Sequence, residues 1–183
     1  MALPISETPD AFDVFHAYGL TMCMAQGFEQ ALATLVLLFG RDRATRRPES
    51  PEALSSAVAR SMEAFERAPA QLRKNLPEQF DPELMGEIEG LIEWRERLSL
   101  RYLIERLDLG DRPERFQPGT ADELVRVGIA FRTAWGQLNG EIVFRTEDLP
   151  EADAPRWLRE FVAGLADPAM FGERTGLPEL GSS

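Results

Sequence analysis

DAFDVFHAYGLTMCMAQGFEQALATLVLLFG, residues 10–40, runs without a proline and carries one apolar stripe. Phe12, Phe15, Met22, Phe28, Leu32, Leu35 and Phe39 recur at mostly three- and four-residue spacings, the period of a helix face. The pattern predicts a helix that starts near Asp10 and runs to Phe39 or Gly40, with Gly40 as the stop signal. In its second half apolar residues occupy nearly every face. A helix that is apolar all round lies in the middle of a bundle. This stretch therefore sets the fold class as all-α, with other helices wrapped around it.

Working outward, Arg41 to Glu49 reads as a linker. Ser50-Pro51-Glu52 is a helix start: a serine cap, a proline in the first turn and an acid beside the positive helix end. This second helix is expected to reach about Asn75. Its stripe of Leu54, Val58, Met62, Phe65 and Leu72 is weaker, which suits an outer helix. Asp81-Pro82-Glu83 repeats the start logic, and a third helix runs to about Leu109 with Gly110 ending it. Leu84, Ile88, Leu91, Leu98 and Tyr102 form its stripe, and Arg95 falls among them. A charge on a core face must be paired or reach water.

Thr120-Ala-Asp-Glu123 has the form of a capping box. The fourth helix that follows has the cleanest stripe in the chain: Leu124, Gly128, Phe131, Trp135, Leu138 and Ile142, ending near Arg145. A last helix covers roughly Ala154 to Leu165 and is expected to bury Trp157, Phe161 and Leu165. No alternating strand pattern occurs. The expectation is an antiparallel bundle of about five helices in one domain over residues 10–166. A loosely ordered arm (1–9) precedes it and an irregular tail (167–183) follows. The first and third helices are expected to be central, with Arg95 at their contact.

The chain has 183 residues, 44% of them hydrophobic and 28% charged, which suits a single globular domain. The net charge of −11 argues against general binding to nucleic-acid phosphates. Arg41, Arg43, Arg46 and Arg47 nevertheless crowd one segment around Asp42. The ordinary reading is a solvated loop; the functional one is a phosphate or acidic-partner contact. The N-terminus lacks a secretory pattern, and the most apolar run, Ala31 to Phe39, falls short of the roughly 20 residues that span a bilayer. A cytoplasmic protein with no membrane partner is expected.

One cysteine and one histidine leave little room for metal or nucleophile chemistry. Cys23, in an apolar run, is expected to be buried and inert. His16 lies seven positions away, too far for a direct bond to Cys23 along one straight helix. Asp13-x-x-His16 is a lone near-match to a bundle metal motif, and a structural histidine is the preferred reading. No phosphate loop, dinucleotide fingerprint or nucleophile elbow occurs. No metal and no cofactor are expected.

Two segments together resemble small bacterial proteins of the HEPN superfamily. An early helix of that group carries Gly-x-x-Met-x-x-Ala-Gln-x-x-Glu-x-x-Leu, matched here by Gly19, Met22, Ala25, Gln26, Glu29 and Leu32. A later helix carries Arg-Asn-x-Leu-Ala-His followed by aromatic residues. Trp94 to Leu103 matches it in part: Arg95, Leu98 and Tyr102 stand at family positions. Glu96, Ser99 and Leu100 replace the asparagine, alanine and histidine. Thr120 to Val125 also resembles the capped helix that follows the motif, so the likeness covers about two thirds of the chain.

In catalytic members, as the resemblance implies, arginine and histidine meet across a dimer and cleave RNA. Histidine moves a proton near neutral pH, and arginine steadies charge developing on phosphorus. Leu100 can do neither. If the site were active, Arg95, Tyr102 and Glu29 would be its candidates, although a phenol of pKa about 10 is a poor base at pH 7. The ordinary reading of Arg95 is an ion pair with Glu29 that holds two helices in register. The resemblance thus implies a non-catalytic protein working through protein contacts, as a homodimer along the helix 81–109. Arg95, Arg97, Arg101 and the arginines at 41, 43, 46 and 47 are its candidate binding residues. Two alternatives stand beside it. One is an RNA-cleaving toxin with a rearranged site around Arg95, Arg97, Arg101 and Tyr102. The other is a phage or mobile-element accessory protein that binds a host partner.

Overall fold

A computed structural model describes residues 11–40, 48–67, 75–77, 80–107 and 116–165. The expected arm at 1–9, the tail at 167–183 and the arginines at 41, 43, 46 and 47 lie outside the described residues. The described helices are α1 (Ala11–Phe39), α2 (Pro51–Arg67), α3 (Pro82–Leu100), the single turn α4 (Tyr102–Glu105), α5 (Thr120–Glu147) and α6 (Arg156–Leu165). A 3-10 turn, Glu151–Asp153, precedes α6. The only extended pairing among the described residues is one isolated bridge, Leu107 to Phe116. The all-α bundle is therefore as expected.

The start signals act where they were read, with one exception. Ser50 Oγ accepts from the Ala53 amide at 3.2 Å, and Asp81 Oδ1 accepts from the Glu83 amide at 2.8 Å. Each satisfies an amide that the first helical turn leaves without a partner. At α5 the cap is instead Gly119, at φ 78°, with no side-chain capping bond. A left-handed residue is what glycine adopts without penalty. Thr120 turns its hydroxyl back to the Gln117 carbonyl at 2.6 Å, and Glu123 is used elsewhere.

The centre of the bundle is the pair α1 and α5, not α1 and α3: theirs is the most extensive helix contact. Its partners rise together along both helices. Thr21 Oγ1 lies 2.8 Å from the Leu124 carbonyl, and Phe28 meets Phe131 with ring centroids 5.5 Å apart. Gly27 sits under the Trp135 ring. The two helices therefore run parallel, an arrangement that needs the intervening helices as a crossover. α3 meets α1 through side chains: Tyr18 donates to the Leu98 carbonyl, and Glu29 pairs with Arg95. α6 folds back along α5 after the turn at 148–155.

Ala31, Leu32, Ala33, Thr34 and Leu35 are all buried, as an all-round apolar helix requires. By length and composition α1 could cross a membrane; here 61% of its most apolar window is buried inside the fold, as befits a core helix. Three details differ from expectation. Phe12 and Phe15 are 72% and 56% exposed, because the first turns of α1 are covered on the side of Val14 and Ala17 and these two rings lie on the other side. Cys23 is exposed, since an apolar run in a helix still has an outer side. In α6 the buried residues are Leu158 and Val162, while Trp157, Phe161 and Leu165 are half-buried. The large side chains flank the contact line that the smaller ones fill.

Gly27 shows how tightly the central pair is held. A Cβ at this position would lie 2.7 Å from the Trp135 ring. Gly27→Ala gains helix propensity but forces the indole aside, and overpacking of this kind costs about 1–3 kcal/mol. Urea denaturation should show that net loss; an unchanged or raised midpoint would mean the indole does not need the space.

Candidate functional site

The stretch 94–106 straddles the end of α3. The α-helix is interrupted at Arg101, whose amide still bonds to the Arg97 carbonyl at 3.2 Å, and α4 restarts at Tyr102. The single helix expected to 109 is therefore broken. The break turns Tyr102 inward, where it is fully buried, and leaves Arg101 exposed. Leu100 is the last residue of α3.

Arg95 reaches across to α1. Its Nε lies 2.8 Å from Glu29 Oε1, with side-chain exposures of 13% and 5%. The N–H is not aimed well enough at the oxygen to count as a hydrogen bond, so the contact is an ion pair by distance. This is the arrangement that the stripe position of Arg95 demanded.

Tyr102 heads the second cluster. Its hydroxyl donates to Glu123 Oε2 at 2.7 Å, with the Thr120 carbonyl at 3.4 Å. Arg106 Nη2 bonds to the same Glu123 oxygen, and the Arg106 guanidinium lies 5.4 Å from the Tyr102 ring centroid. Burial first, then the bond to Glu123 and its charge, push the phenol well above its ordinary value of 10.0; Arg106 offsets this only in part. Tyr102 is thus a neutral hydrogen-bond donor and not a base.

On the outer side, Arg97 lies over two aromatic rings, 5.1 Å from the Trp94 centroid and 5.5 Å from that of Tyr102. Arg97 and Arg101 both pair with Glu105, at 3.0 and 2.9 Å. Arg97, Arg101 and Tyr102 are thus gathered at one junction, while Arg95 and Glu29 form a separate pair between α1 and α3. Among the described residues no group of histidine, cysteine, aspartate or glutamate could hold a metal ion. His16 is exposed and stacked on Phe12, with centroids 6.1 Å apart.

Sequence reasoning missed Glu123, Arg106, Trp94 and Glu105. Glu123 was assigned to a capping box, and that assignment concealed it. Arg106 carried a signal: it is four residues beyond Tyr102, a spacing that brings side chains together at a helix end. No family model, curated protein or solved structure matches the chain.

Two outcomes test these assignments. In a double-mutant cycle, Arg95→Leu and Glu29→Leu should each destabilise the fold, and the double variant should cost less than the sum, with a coupling of about 1–3 kcal/mol. Additive losses would dissolve the pair. Tyr102→Phe should lose about 1.5–3 kcal/mol at neutral pH, as for a bond to a charged group. The folded phenol titrates above the unfolded one. Its stabilisation is therefore complete below the unfolded value of 10.0 and is lost as pH rises beyond it. The gap between native chain and variant should narrow by about pH 11 in denaturation curves. A constant gap would contradict the raised pKa.

Proposed function

We propose that the chain is a non-catalytic, HEPN-like helical protein that acts through protein contacts as a homodimer. One observation carries this reading: the arginines and the tyrosine of the motif stretch have partners inside the chain. Arg95 meets Glu29, Tyr102 donates to Glu123, and Arg97 and Arg101 pair with Glu105. An RNA-cleaving site of the family's type needs a group that exchanges a proton near neutral pH and an arginine free to follow charge on phosphorus. Leucine stands at the proton-transfer position, and the nearest phenol is buried and held protonated. A motif helix without proton chemistry still supplies a folded scaffold for partner contacts.

Purified chain incubated with total RNA should leave it intact, and so should Arg95→Ala. Cleavage by the native chain that Arg95→Ala abolishes would refute the non-catalytic reading.

A further inference from the structure

Among the exposed positions of α5 charge is confined to the two ends; the outer face of α1 is likewise uncharged after Asp13, but its large exposed residues, Phe12 and Phe15, lie at one end only. Arg126 opens the stripe and Glu147 closes it, both exposed. Between them every exposed position is uncharged. Ile129 and Phe144 are large and 46% and 60% exposed. Ala130, Thr133, Gly136 and Gly140 make a small middle. By contrast, the exposed positions of α3 include Glu83, Glu87, Glu93 and Glu96. Arg132, Glu141 and Arg145 of the same stretch are half-buried beside this run, and large apolar residues stand exposed towards both of its ends.

The spacing is that of a helix seam. Exposed positions 126, 129, 133, 136, 140, 144 and 147 step by three and four, the spacing of one helix face laid along another. Two of the middle positions are glycines in a helix interior, each costing about 1 kcal/mol relative to alanine. A Cβ at Gly136 or Gly140 would meet nothing within 4 Å, so no contact inside the chain requires glycine there.

The face is also its own complement. Laid antiparallel on a second copy, with the two-fold axis between Gly136 and Gln137, it sets Ile129 opposite Phe144 at both ends. The same register sets Arg126 opposite Glu147. A two-fold interface uses one patch twice, so residue i meets j and j meets i. The small residues then fall at the crossing point, where backbones approach most closely. We infer that α5 is the self-association surface of this protein, pairing antiparallel with α5 of a second copy. The inference rests on the homodimer proposed above and moves its contact from the motif helix, whose outer face is acidic, to α5.

The test is sedimentation velocity on the full chain and its variants at about 100 μM, a concentration that populates even a weak dimer. The native chain should sediment as a dimer. Ile129→Glu should raise the dissociation constant at least about tenfold, because a carboxylate would be buried in the seam. Arg126→Glu and Glu147→Arg should each weaken pairing, and their mixture should form a heterodimer, since opposite charges then meet at both ends. These two residues are exposed, so the charge-reversal arm remains valid even where Ile129→Glu loses helical circular dichroism. A native chain that is strictly monomeric overturns both this inference and the homodimer. A dimer indifferent to all three changes, or one broken by reversing Glu83 and Glu87 instead, overturns the α5 seam alone.

Discussion

The close approach of α1 and α5 is the constraint on which the rest of the bundle depends. It is made by small residues meeting large ones: Gly27 under Trp135, and Gly128 beside Thr21, whose hydroxyl lies between the Ala17 and Leu124 carbonyls at 2.8 Å each. Phe28 and Phe131, both fully buried, fill the space between these two points. Interiors are packed at crystal-like density, so an axis spacing set at one pair of residues propagates along both helices. Because α1 and α5 are parallel, α2 and α3 must carry the chain between them, and both are placed by that requirement.

α3 is attached to this pair through polar as well as apolar contacts. Leu84, Ile88, Leu91 and Leu98 supply the buried surface. Arg95–Glu29 and the Tyr18 bond to the Leu98 carbonyl supply the polar contacts. Removing two charges from water costs several kcal/mol per ion before their attraction returns it, so such a pair stabilises little against an apolar replacement. Its physical effect is selectivity: a helix that slides by one turn leaves both charges buried without each other. The Tyr102–Glu123–Arg106 cluster does the same at the junction of α3, α4 and α5, beside the apolar contacts of Leu98 and Phe116.

The charge pattern divides the surface by role. Near the motif, guanidinium and carboxylate groups are matched within the chain, and surface pairs such as Arg101–Glu105 add about 1 kcal/mol or less. Along α3 the outer positions are acidic, which keeps that face solvated. α5 carries exposed apolar residues towards both ends of a stretch without exposed charge. That contrast places the proposed contact on a helix whose inner side already organises the core.

Periodicity determined the helical class, the bounds of α1, the buried stripe of α5 and the starts at Ser50 and Asp81, because each depends on residues within a few turns of one another. The position of Arg95 also required a counter-charge, and the expected pair with Glu29 supplies it. The tertiary structure alone decided which helix faces which. A stripe specifies that a face is covered but not by what, so α3 was expected at the centre beside α1, where the parallel pairing puts α5. For the same reason Glu123 could be read as a cap, when a glycine in the left-handed region had taken that role and freed it for Tyr102 and Arg106. The break at Arg101 and the outward turn of Cys23 are likewise consequences of packing between segments far apart in the chain, where no local spacing rule reaches.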